Sequence, residues 1–166
     1  PGFDHEPGVY TTDILTREAV DTVRRWARTP EQPGFLFLSH LAPHDPLQAP
    51  QAYLDLPQCA VKRNWRRRTF CAMMMTVDDS VRQVVEALKE VGLENDTIIF
   101  FGSDNGAAPS VGGYNYPFRG TKTSLYNGGV MSPAFLHVPE ALGKAAASEY
   151  GNTMHISDVA PTLLGL

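Results

Sequence analysis

The stretch Thr97–Val130, TIIFFGSDNGAAPSVGGYNYPFRGTKTSLYNGGV, decides how the rest of the chain is read. Ile98-Ile99-Phe100-Phe101 is an apolar run of β-branched and aromatic residues, the pattern of a strand buried on both faces. The run stops at Gly102-Ser103, and Asp104, Asn105 and Gly106 follow at once. In an open α/β sheet, groups delivered at the carboxyl ends of buried strands commonly build the site. Farther on, Arg119 and Lys122 place two cations in a glycine-rich loop that closes on Gly128-Gly129. Hard oxygen donors beside fixed cations suit a metal site that handles an anionic ester. Asp-Asn-Gly is also a favourable turn sequence, so these residues alone leave turn and site both open.

The whole chain of 166 residues fits one domain with a real core, and 43% hydrophobic with 19% charged residues is ordinary for a globular protein. A net charge of −4 argues against a nucleic-acid surface, and the one basic cluster, Lys62 to Arg68, is too short to reverse that. No apolar run approaches the roughly 20 residues of a membrane span. The chain starts at Pro1 with no signal-peptide pattern and reads like internal sequence, so residues 1–166 are expected to be a partial domain. Cys59 and Cys71 make neither a metal site nor a disulfide framework by themselves. Cys71 falls on the apolar side of a predicted helix, where a buried free thiol is expected. Asn95-Asp96-Thr97 is a sequon, which makes Asn95 a surface glycosylation site if the protein is secretory.

Around the central stretch the chain alternates helix and strand. Thr16 is placed to cap a helix over 17–28, with Ala19, Val20, Val23 and Ala27 along one face. Phe35-Leu36-Phe37-Leu38 reads as a second buried strand, followed by the polar, kinked run Ser39-His40-Leu41-Ala42-Pro43-His44-Asp45-Pro46. Residues 47–68 read as a long surface connection. Phe70, Met73, Met74, Val77, Val81, Val84, Leu88 and Val91 keep a helical spacing over 69–91, and Gly92 is placed to end that helix. Asp78 and Asp79 are neighbours on it and so point in different directions. Residues 132–138 suit a further strand, and a closing helix is capped near Ser157. This order predicts a layered α/β fold, a largely parallel sheet flanked by helices.

With these elements placed, the Ser103–Gly106 turn and the following GGYNYPFRGTKTSLYNGGV resemble the second signature region of type I sulfatases, nearest the arylsulfatase B (N-acetylgalactosamine-4-sulfatase)-like group. FLFLSHLAPHDPLQAP, RRRTFCAMMMTVDDSV and MHISDVAPTLLGL resemble further segments of that family, in the family's order. The resemblance implies an alkaline-phosphatase-like α/β fold and a hydrolase that cleaves sulfuric esters, including those of glycosaminoglycans. It further implies a sulfated small molecule or glycan as substrate, a Ca2+ cofactor and a glycoprotein of lysosomal or secreted location. Asp104 and Asn105 match two of the family's calcium ligands. Lys122 matches the lysine that contacts the sulfate, and His44 a histidine that contacts it and protonates the leaving oxygen. Arg119 is read as a brace of the glycine-rich loop, and His155 and Asp158 as core or helix-capping residues. His5, His40 and His137 are given no role.

The departures bear on activity. The family's nucleophile is a formylglycine made from the cysteine of a Cys-x-Pro-x-Arg context. Here Cys59 precedes Ala-Val-Lys-Arg and Cys71 precedes Ala-Met-Met-Met. The nucleophile and the early aspartate pair are expected upstream of Pro1, so the isolated chain is expected to be inactive and its full-length parent to be the enzyme. Asn127 stands where relatives carry glutamate, and Ala107 where they carry a second glycine. Two other readings stay open: a metal-dependent phosphoesterase or phosphonate hydrolase of the same superfamily, and a non-catalytic truncated or pseudoenzyme product.

Overall fold

A computed structural model describes residues 7–140, 142 and 149–166, which leaves His5 outside the described residues. Its core is a pair of helices. Helix α1 (Thr11–Trp26) lies against helix α4 (Trp65–Glu90), burying Val23 against Ala87 and Leu88, with Val84, Val91 and Ile99 packed around them, and Ala19 is buried on the same face of α1. Thr16, expected to cap α1, is buried inside it. Thr12 and Thr16 share the face of Ala19 and Val23, so both turn toward α4. The Thr16 hydroxyl donates to the Thr12 carbonyl at 2.6 Å and shares a 2.6 Å hydrogen bond with the Ser80 hydroxyl of α4. That internal pairing satisfies two buried hydroxyls which would otherwise cost about 1–3 kcal/mol each.

Helix α4 starts a turn earlier than its apolar spacing indicates, because Trp65–Arg68 carry no hydrophobic stripe to signal it. Asn64 caps it by accepting from the Arg67 amide at 3.2 Å. Gly92 ends it with φ +75°, a left-handed conformation that disfavours any side chain. Residues 47–68 are more than a connection: they contain helices α2 (Gln51–Leu54) and α3 (Pro57–Ala60), both packed on α4. Arg68 donates to the Leu54 carbonyl and pairs with Asp55, each at 3.0 Å, and Tyr53 donates to Asp79 at 2.9 Å.

A disulfide joins Cys59 of α3 to Cys71 of α4, which corrects the expectation of a free thiol at Cys71. The helical stripe told only which face Cys71 occupies; it could not tell that α3 folds back to bring the two Cα atoms within 5.5 Å.

Strand β1 (Ile99–Gly102) pairs with strand β2 (Ala134–His137), Ile99 opposite His137 and Gly102 opposite Ala134. The pair is antiparallel, so the largely parallel sheet expected from the element order is not formed among the described residues. A parallel return needs a long crossover, usually a helix. Between these strands lie an irregular loop with a 3-10 turn (Pro109–Val111) and one short α-helix, α5 (Asn127–Val130), so the chain simply runs back beside β1. Phe101 and Phe135 stack across the pair at 5.3 Å. Residues 35–38 form no strand, and Phe35 and Phe37 are 83% and 80% exposed, because no described strand pairs with them. β1 is accordingly half-buried and not covered on both faces. The closing helix α6 (Val159–Leu164) is preceded by a 3-10 turn with a capping box: His155 accepts from the Ser157 amide, and Asp158 accepts from the His155 amide. His155 and Asp158 are thus the capping residues expected. No described helix is long and apolar enough to cross a membrane.

Candidate functional site

The loop between β1 and β2 is built by backbone approaching backbone. Gly106 donates its amide to the Gly129 carbonyl at 2.9 Å, and Gly128 donates to the Arg119 carbonyl at 2.7 Å. A Cβ at Gly106 would collide with the Gly128 carbonyl, and one at Gly128 with the Gly120 carbonyl. The glycines are therefore required by contact, and they bring the end of β1 against the far end of the loop.

Asn115 buckles the middle. Its Oδ1 accepts from the Ala107 amide at 2.8 Å, and its Nδ2 donates to the Ala107 carbonyl at 2.8 Å and the Gly120 carbonyl at 3.3 Å. The Lys122 amide also donates to the Ala107 carbonyl, at 3.2 Å. Lys122 is thereby tied two residues away from Asn105. Sequence reasoning passed over Asn115; an amide alone in a glycine-rich loop was the available signal. Arg119 lies 4.0 Å over the Tyr126 ring, and its carbonyl accepts from the Gly128 amide, so both its side chain and its backbone contact the loop.

His44, 78 residues earlier in the chain, meets this loop. Lys122 Nζ lies 3.0 Å from His44 Nε2, and His44 Nδ1 lies 3.2 Å from the Asp45 carbonyl. A carbonyl only accepts and an ammonium only donates. The imidazole therefore carries its proton on Nδ1 and offers the Nε2 lone pair to Lys122. Thr123, next to Lys122, has φ +75°, the one positive φ outside glycine among the described residues. A β-branched residue in that region costs of order 1–3 kcal/mol and is tolerated where the surroundings impose it, commonly at sites.

Asp104 and Asn105 follow β1 directly. Asn105 has no positive φ, so its place after β1 does not depend on a left-handed turn conformation. Its Nδ2 donates to the Gly106 carbonyl at 3.1 Å, which leaves Oδ1 as a free acceptor. The Asp104 carboxylate is exposed and has no hydrogen-bond or ion-pair partner among the described residues. A charged and a neutral oxygen donor side by side suit a hard divalent cation such as Ca2+. They are a partial set, since Ca2+ takes about 6–8 oxygens. Among the described residues no three His, Cys, Asp or Glu side chains gather as a metal cluster.

Asn95 is exposed in the 3-10 turn before β1, at the opposite end of the strand from Asp104, so the sequon stays clear of the site. Both ring nitrogens of His40 are buried without a partner, and burial holds its imidazole below the usual histidine range. His137 is an exposed residue of β2 and belongs to no cluster. Asp78 is exposed, whereas Asp79 is held from three sides. Burial by itself would raise Asp79, but hydrogen bonds from Arg82, Tyr53 and Gln83 outweigh it and keep the carboxyl below its ordinary value. Burial first, and then the hydrogen bond to that carboxylate and its charge, push Tyr53 up to about 12.

Comparison with known proteins converges on one family. The chain is 34% identical over 164 residues to arylsulfatase J of Mus musculus, covering 99% of this chain and 26% of that protein. It is 32% identical over 160 residues to N-acetylgalactosamine-6-sulfatase of Sus scrofa, covering 93% and 29%. The solved structure of Ps i-CgsB in complex with k-i-k-neocarrahexaose superposes with a TM-score of 0.78 at 37% identity, over 86% of this chain and 31% of that one. The chain thus spans between 26% and 31% of the length of these relatives. The sulfatase family model itself matches residues 3–166. With nearly every residue inside that match, the chain belongs to the sulfatase family.

Proposed function

We propose that this chain supplies the sulfate-handling part of a sulfuric ester hydrolase. The observation that carries the reading is the 3.0 Å contact between Lys122 Nζ and His44 Nε2, made by two loops far apart in sequence. A sulfate monoester presents anionic oxygens, and more charge gathers on the bridging oxygen as the S–O bond breaks. Lys122 binds a non-bridging oxygen and screens that charge as a compact point cation. When a sulfate oxygen takes the Lys122 ammonium, His44 Nε2 is released from that contact, and once protonated there it donates to the leaving oxygen, a task suited to an imidazole. The Asp45 carbonyl holds Nδ1–H, so Nε2 stays turned toward Lys122.

Asp104 and Asn105 would hold Ca2+ as two of its oxygen ligands. When bound, that ion supplies a Lewis acid for the sulfate oxygens. Neither cysteine can serve as the formylglycine precursor. Both lie outside a Cys-x-Pro-x-Arg context, and both are joined in the disulfide. Residues 1–166 are accordingly read as part of one catalytic domain whose nucleophile is not among them. The disulfide also supports a lysosomal or secreted location, since such bonds persist in oxidising compartments. In such a compartment Asn95, exposed in its turn, would carry a glycan.

The substrate class we assign is a sulfated glycan or small sulfate ester, in line with relatives named for N-acetylgalactosamine 6-sulfate and a neocarrahexaose complex. The test is sulfate release by the whole protein that contains this chain, against matched aryl sulfate and aryl phosphate substrates. Sulfate release that collapses in Lys122→Met supports the reading. Release of phosphate without sulfate would assign the site to a phosphoesterase instead.

A further inference from the structure

The basic cluster Lys62 to Arg68 is not used by the site above. Arg68 is neutralised by Asp55, and Arg67 donates to the Gly112 carbonyl at 2.7 Å beneath Tyr114. Lys62, Arg63 and Arg66 make no ion pair with any described carboxylate. Arg66 instead stands 5.0 Å over the Trp65 ring, with its cation turned to solvent. Two clefts meet at this residue. One, of about 640 Å³, runs from Asp45 and Leu47 to Trp65, Arg66 and Ser110. The other, of about 410 Å³, continues past Arg66 and Ser110 to Arg67 and Tyr114.

The first cleft begins at the residue after His44, and its opposite wall at Ser110 lies five residues beyond Asn105. The groove therefore starts beside His44, through the covalent neighbour Asp45. Its one carboxylate, Asp45, lies at the His44 end, so the cationic part lies farther out. Trp65 and Tyr114 are 59% and 68% exposed; Arg66 lies over the Trp65 ring, and Arg67 and Tyr116 lie against Tyr114, so each ring offers its remaining exposed surface.

Resting on the sulfate-ester reading, we propose that this groove is a subsite for a second anionic sugar of the same chain, adjacent to the unit whose ester is cleaved. Arg66 takes the second sulfate through its planar fork of donors, and Trp65 and Tyr114 stack on sugar rings. The groove thus selects oligosaccharides bearing sulfates on neighbouring units over single-sulfate esters.

The experiment compares kcat/KM of the whole protein on an oligosaccharide sulfated on two neighbouring units with kcat/KM on a simple aryl sulfate. In Arg66→Gln the ratio of the two is expected to fall about tenfold, the scale of one charge-assisted contact. A ratio unchanged in Arg66→Gln overturns the subsite and leaves the hydrolase reading in place. If the unaltered protein releases sulfate from neither substrate, the hydrolase reading fails. Trp65 fluorescence then decides the subsite alone: quenching by the oligosaccharide that is lost in Arg66→Gln supports it, and an absence of quenching overturns it. Trp65→Phe identifies which of the two tryptophans reports.

Discussion

Lys122→Met is the sharpest perturbation of the proposed site, because it removes a charge and keeps an apolar stem of similar length. A unit cation roughly 4 Å from a sulfate charge, at an effective dielectric of about 20, is worth about 4 kcal/mol. Lys122 is only half-buried, and water screens part of that, so about 3 kcal/mol is the working figure. Loss of one such anion-stabilising donor lowers turnover by about 100- to 1000-fold. His44→Gln is expected to cost a similar factor on esters with poor leaving groups, where the bridging oxygen needs a proton. It should cost much less on activated aryl sulfates, whose leaving oxygen departs without one. Lys122→Met should show no such dependence, because the charge it meets is on the sulfate in every substrate. The 3.0 Å contact also implies coupling, so the double variant should lose less than the product of the single losses. The assay is kcat/KM of the whole protein across an aryl sulfate series of graded leaving-group pKa. The reasoning is refuted if Lys122→Met stays within about threefold of the unaltered protein. A His44→Gln loss independent of the leaving group would refute the proton-donor assignment.

Three further outcomes are open to measurement. Cys59→Ser opens a loop of 12 residues separation, and loop-closure entropy puts the destabilisation at about 3 kcal/mol, read as a drop in the urea midpoint. A midpoint that does not move would mean that Arg68 and Tyr53 hold α2 and α3 on α4 without the bond. Burial depresses His40, so the unfolded chain takes up the proton first; stability is full above the ordinary histidine range and falls as pH drops from about 7 to about 5. His40→Phe should flatten that slope, and an unchanged slope assigns it elsewhere. Asp104→Asn removes the one charged donor of the proposed pair and should shift the calcium requirement for sulfate release upward by about tenfold or more, with little change at saturating Ca2+; an unmoved calcium midpoint would exclude Asp104 as a ligand.

The fold was legible wherever a local pattern decides it. Val77, Val84 and Leu88 recur at helical spacing and α4 is there, ended by Gly92 as its position implies. Thr11–Thr16 was missed as helix because threonines read as loop or cap, while their burial depends on Ser80 in another helix. The strands were legible in part: residues 99–101 and 134–137 are strands as their composition indicates, whereas 35–38 are not. Phe35–Leu38 and Ile99–Phe101 are strand-like by composition, but whether a run pairs, and in which direction, depends on a partner that composition does not name. The disulfide is the same case again, since a stripe gives a face and never the element that covers it.

The site divides along the same line. Asp104 and Asn105 sit together by covalent adjacency, so any reading of that motif keeps them together. Lys122 and His44 do not, and no spacing rule brings residues 78 apart to 3.0 Å. What does so is a chain of backbone constraints: Gly106 and Gly128 permit the close approach, Asn115 ties Ala107 to Gly120, and Ala107 receives the Lys122 amide. The chemistry-bearing residues are therefore aimed by residues with no chemistry of their own. Asn115→Ala should then lower kcat/KM on an aryl sulfate by misplacing Lys122 while leaving its charge intact. Added ammonium, which replaces a missing cation, should partly restore Lys122→Ala but not Asn115→Ala. Equal rescue of both would mean that Asn115 acts by supplying charge-binding contacts and not by holding the loop.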